Sequence, residues 1–141
     1  QPLNVMDSYY NQNYTEEDIT KILETIKECI EKNNYTIAMN ENRQENIDFI
    51  NEYNIRSDRQ KSILLQLQTD DFCHTLQNTK VGYEYEVLYV FVPRVNLFDA
   101  DGIEATVDIY IKINIIDTQR GNRVAIISFH KRNKPIDYLF R

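Results

Sequence analysis

Tryptophan is absent from this sequence, and glycine and proline occur only three times each. So little of either leaves no room for a flexible linker between domains. Two cysteines and two histidines, widely scattered, lack the paired short spacings of a structural zinc site. No metal or other cofactor is implied. Cys29 and Cys73 sit beside apolar residues at positions that read as helical, which suits buried small hydrophobes better than a disulfide. No apolar run approaches the roughly 18–20 residues of a membrane span, and no short apolar block with a cleavage site follows a basic start. A soluble cytoplasmic domain is therefore expected. A Gly-rich phosphate loop and a nucleophile-elbow serine are also missing.

What is present is ordinary globular material, 42% hydrophobic and 27% charged over 141 residues. A chain of this length buries about two thirds of its unfolded surface and needs no staple. Net charge is −6, which argues against strong nonspecific nucleic-acid binding. The sum hides a division. From Gln119 onward six basic residues face one acid, a local +5 that leaves −11 for the rest. Phosphate binding at the basic edge is compatible with an acidic whole, and so is a merely solvated edge.

Thr15 followed by Glu16, Glu17 and Asp18 is an N-terminal capping pattern. Ile19, Ile22, Leu23, Ile26 and Ile30 then follow one helical face, predicting a helix to Asn33. Tyr35–Met39 reads as a short strand or an extended connection. A second helix is predicted over Glu41–Tyr53. A third follows a capping box at Ser57–Gln60, and Thr69-Asp70-Asp71 reads as one more helix start leading into Phe72, Cys73 and Leu76. From Tyr83 the period changes to two. Tyr83–Val92 is strand-like, Glu104–Ile116 alternates cleanly, and Arg123–His130 should pair with it as a hairpin. Ile136–Phe140 is expected to add an edge strand. The fold class is α+β, with N-terminal helices on one face of a C-terminal, mainly antiparallel sheet. Residues 1–12 are set aside as a disordered lead or expression remnant. Residues 13–141 form one domain, helical over 13–80 and sheet over 81–141.

Chemistry is expected on the polar sheet face. Tyr110 and Lys112 project on one side of their strand. Arg123 and Lys131 flank the next strand, and His130 lies at its end. An imidazole or phenol beside cations suits phosphodiester transfer in RNA, where the 2′-hydroxyl supplies the nucleophile and no metal is required. The competing reading is a solvated polar face. His74, on pattern alone, reads as a surface or capping histidine near a helix end.

The segments Leu67–Leu76, Tyr85–Tyr89, Val107–Ile113 and Val124–Lys131 resemble, in that order, segments of the motility quorum-sensing regulator (MqsR) toxins. These belong to the RelE-like fold of mRNA interferases. The resemblance covers roughly residues 60–131, and its most specific part is the ending Ile127-Ser128-Phe129-His130. It implies catalytic roles for His74, Tyr110 and His130; Lys112, Arg123, Lys131 and Arg132 are the cations expected to bind substrate beside them. The family's glutamine falls near Tyr85 or Glu86, a departure. The family is basic where this chain is acidic, and its lysines are histidines here, which implies a site titrating near neutrality.

The resemblance thus implies the toxin of a type II toxin–antitoxin pair, a metal-independent endoribonuclease cleaving mRNA, free or ribosome-bound. Its expected partners are that mRNA and a cognate antitoxin protein, with no membrane and no DNA binding by this chain alone. The alternative is a non-catalytic protein-interaction or inhibitor module on the same fold.

Overall fold

The computed structural model describes residues 10–141, and its first helix, α1 (Glu16–Glu31), starts where its capping residues dictate. The Thr15 hydroxyl accepts from the Asp18 amide at 3.1 Å, and the Asp18 carboxylate accepts from the Thr15 amide at 2.9 Å. Two orphan donors are satisfied together. Ile19, Leu23, Ile26 and Ile30 are buried on one face, as their spacing predicts. Helix α2 (Gln44–Glu52) follows a 3-10 turn at Glu41–Arg43, and α3 is Ser57–Leu65. The box expected at Ser57 does not form. Ser57 is already helical, Arg56 stands at the cap, and the Gln60 side chain donates instead to the Ile55 carbonyl at 2.8 Å.

The described residues also form six strands: β1 (Tyr35–Ile37), β2 (Phe72–Gln77), β3 (Val87–Phe91), β4 (Arg94–Phe98), β5 (Glu104–Thr118) and β6 (Gly121–Lys131). They run in the order β1-β6-β5-β3-β2, with β4 paired to the first part of β5. Only the β1–β6 pair is parallel. The fold is α+β. Ile109, Ile111 and Ile113 of β5 meet Val124, Ile126 and Phe129 of β6 and the helices' apolar faces in one core. Their alternate neighbours Asp108, Tyr110, Lys112 and Asn114 therefore face away from the helices, on what we term the open face. The β5–β6 hairpin closes through Gln119 and Arg120, and Gly121 takes φ 106°, a conformation that favours glycine.

Four expectations are corrected. Thr69–Asp71 is a single 3-10 turn, and Phe72–Gln77 is a strand, so sheet structure begins well before residue 81. Tyr83–Glu86 is turn, and β3 starts only at Val87. Ile136–Phe140 adds no strand: the tail crosses the sheet with the Tyr138 hydroxyl donating to the Val92 carbonyl and the Leu139 amide to the Phe72 carbonyl. Of the presumed lead, residues 1–9 lie outside the described residues, but 10–12 belong to the fold. Asn11 bridges Thr75, and the Gln12 side chain donates to the Cys73 carbonyl at 2.8 Å.

Candidate functional site

Two β-bulges decide what the open face carries. In β6, Ser128 opposes Lys112 while Ile126 opposes Ile113, so Ile127 is the extra residue. In β2, His74 opposes Val90 while Phe72 opposes Phe91, so Cys73 is the extra one. An inserted residue reverses the alternation beyond it. Phe72 and Phe129 stay in the core, and both histidines move to the open face. His74 thus comes from the sheet and not from the helical layer. It is buried, neither a surface nor a capping residue.

His130 and Tyr110 are cross-strand partners, with rings stacked at 5.5 Å between centroids and 20° between planes. Nδ1 of His130 lies 2.8 Å from the Lys131 carbonyl and 3.3 Å from Oε2 of Glu45. A carbonyl only accepts, so Nδ1 carries the proton and Nε2 of the neutral ring holds the lone pair. The imidazole is largely covered, its side chain 15% accessible, and it lines a small hollow with Arg43 and Glu45. Burial pushes the Tyr110 phenol up to about 12, and nearby Tyr10 adds to this. Tyr110 is therefore a hydrogen-bond donor at neutral pH, not a base.

Lys112 lies one step along β5 from Tyr110, half-buried in a groove of about 1150 Å³ shared with Arg43, Tyr10, Leu88 and Ile127. Its pKa is lowered, by burial first and then by the charges of Arg43 and Lys134. No carboxylate among the described residues pairs with Lys112, Arg43 or Lys134. Like charges gathered around a desolvated ammonium leave an unmet demand for an anion.

His74 shares the face but not the pair. It is two strands from Tyr110, a separation of about 12 Å from strand spacing and rise. Tyr10 stacks on it at 4.2 Å and 19°. It is 5% exposed, its Nε2 has no hydrogen-bond partner among the described residues, and burial lowers its pKa to about 4. The expected titration near neutrality does not hold for this residue. Buried Cys73, next to it, is pushed up to about 12 by the same cause and is an inert thiol.

The other expected phosphate ligands are dispersed. Lys131 sits on the α2 side, bonded to Glu52 at 3.0 Å with its ammonium 5.1 Å from the Tyr53 ring. Arg132 pairs with Asp108 at 3.6 Å, which Arg94 also holds at 3.0 Å. Arg123 is exposed near the hairpin tip, about 20 Å along β6 from His130. Glu86 accepts from Asn78 at 2.9 Å and Asn114 at 2.8 Å, at the groove's far end, while Tyr85 points to solvent. Sequence reasoning missed Tyr10, Arg43, Glu45 and Lys134. Lys134 lay within the basic tail, but nothing local marks the other three.

Comparison with protein-family models, curated proteins and solved structures returned no match.

Proposed function

We propose that the open face binds RNA and cleaves it as a metal-independent endoribonuclease. The observation that carries this reading is the cluster of Lys112, Arg43 and Lys134, cations without a carboxylate partner among the described residues, beside the stacked His130–Tyr110 pair. Nε2 of His130 takes the proton of a ribose 2′-hydroxyl, and the oxygen attacks the adjacent phosphorus. The bond from phosphorus to the 5′-oxygen breaks, leaving a 2′,3′-cyclic phosphate. The departing oxygen takes a proton from the His130 imidazolium or the Tyr110 phenol. Glu45 holds the ring, and the cations neutralise the non-bridging oxygens. His74, uncharged at neutral pH, serves with Tyr10 as an apolar wall.

The order of segments resembling MqsR toxins supports an mRNA substrate, a cytoplasmic setting and the role of toxin beside a cognate antitoxin. Cleavage of a single-stranded RNA oligonucleotide in EDTA, with analysis of its 3′ end, tests the chemistry. A cyclic phosphate is expected, and a folded His130→Ala variant cutting at the wild-type rate would overturn it. Running the assay with and without ribosomes separates free from ribosome-bound messages.

A second reading, a non-catalytic interaction module, draws on Phe98 and Ile103, 58% and 62% exposed at the β4–β5 tip. It predicts a stoichiometric protein complex, no cleavage and no growth arrest on expression.

A further inference from the structure

Alternation carried unbroken from Ile126 would turn His130 into the core and Phe129 out to water. The extra residue Ile127 prevents this, at a cost. A bulge leaves main-chain groups without ladder partners, and buried groups of that kind must be satisfied elsewhere. Strand β1 gives no help, because it ends at Ile37 and its last contribution is the Ala38 amide donating to the Ile126 carbonyl at 2.9 Å. Beyond that point the outer edge of β6 meets Asn46 of α2. Its Nδ2 donates to the carbonyls of Ile127 at 3.0 Å and Ala38 at 2.9 Å, and its Oδ1 accepts from the Phe129 amide at 2.8 Å. Asn46 is wholly buried, and both ends of its amide are spent on main chain.

We propose that Asn46 is the positioning residue of the site: its side chain continues the edge where β1 stops, locks the bulge, and thereby sets His130 on the open face. This rests on the cleavage reading above and assigns it a determinant that touches no substrate. The same residue fixes the start of α2 against β6. Glu45, the carboxylate beside His130, immediately precedes it, and Arg43 of the cationic cluster lies three residues back. One amide thus holds the imidazole, its carboxylate and a phosphate-binding cation in common register. A carboxylate at this position supplies the acceptor but not two donors, and an aliphatic side chain supplies neither.

Amide exchange on the wild-type protein tests the lock without any substitution. The Phe129 amide and the Asn46 side-chain amide should exchange at least a hundredfold more slowly than the hairpin amides of Gln119 and Arg120. Exchange as fast as the hairpin would overturn the proposal. In folded N46A and N46D the nuclear Overhauser contact between the His130 and Tyr110 rings should vanish. RNA cleavage should fall at least tenfold in kcat with KM within threefold, while N51A, on the exposed side of the same helix, leaves both unchanged. A folded N46A that keeps the ring contact and the wild-type kcat would sink the assignment. If the wild-type protein cleaves no RNA, the cleavage reading fails, and the exchange and ring-contact results still decide the role of Asn46.

Discussion

His74 and His130 reach the same face by the same device, a bulge one or more residues upstream, yet end in different surroundings. His74 lies under Tyr10, with burial holding its pKa near 4 and no partner at Nε2 among the described residues. His130 has a carbonyl and a carboxylate at Nδ1 and borders an open hollow. Strand geometry determines only which side a ring is on. Its covering and its polar neighbours determine whether the ring can exchange a proton at neutral pH.

The largest expected effect breaks this contrast if it is wrong. Replacing His130 with Ala should lower RNA cleavage by about 10²–10⁴-fold, the usual worth of a general acid–base group. His74→Phe should stay within threefold in the same assay. Reversal of that ranking would make His74 the working imidazole.

The second effect appears in stability. Native His74 takes a proton only near pH 4, against about 6.5 for an unfolded histidine, so the unfolded chain binds more protons between those values. Its contribution is full above pH 6.5, declines as pH falls through the window and levels off below 4. The depth is about 3 kcal/mol from ~1.4 kcal/mol per unit. Urea titrations at several pH values should show the slope in wild type, and the His74→Phe variant should lose it. An unchanged slope would place the ring in water.

Much of this frame was legible in advance. Alternation from Ala105 to Ile115 correctly predicted which side of β5 carries Tyr110 and Lys112, and Thr15–Asp18 marked the start of α1. The bulges hid the rest. An extra residue breaks the period of two, and Phe72, Cys73 and Leu76 then mimic the i, i+1, i+4 spacing of a helix. Basic residues near the end of the chain suggested one phosphate site, but the strand edge sends Lys131 to Glu52 and Arg132 to Asp108. The cation that does join Lys112 is Arg43, from a turn no local pattern ties to the sheet. Side-chain amides such as Asn46 act through main chain remote in sequence, and single-sequence reasoning has no access to that.

Two smaller effects sharpen the comparison. Lys112→Met removes a desolvated cation flanked by like charges, so it should raise Tm by about 3 °C, the shift that roughly 1 kcal/mol gives a domain of this size. The same change should weaken oligonucleotide binding and flatten its dependence on salt. A lower Tm would mean that the ammonium is satisfied by a partner. Tyr10→Ala should cost about 1 kcal/mol, the worth of one aromatic pair. It should also shift the midpoint of the His74 titration upward, read from its imidazole proton resonances, because water then reaches the ring.

The strap formed by residues 134–141 carries a kinetic consequence. Tyr138 ties it to Val92, just past β3, and Leu139 ties it to β2; Arg141 clips to Asp71 at 2.7 Å, and Gln12 reaches across to the Asp137 carbonyl at 3.3 Å. A molecule destined for the part of the face at Val90 and Val92, on which Ile136 and Tyr138 pack, must wait for these ties to part. Its observed association rate would climb with concentration and then plateau at the frequency of spontaneous detachment, whereas a ligand of the Lys112 groove would show no such ceiling.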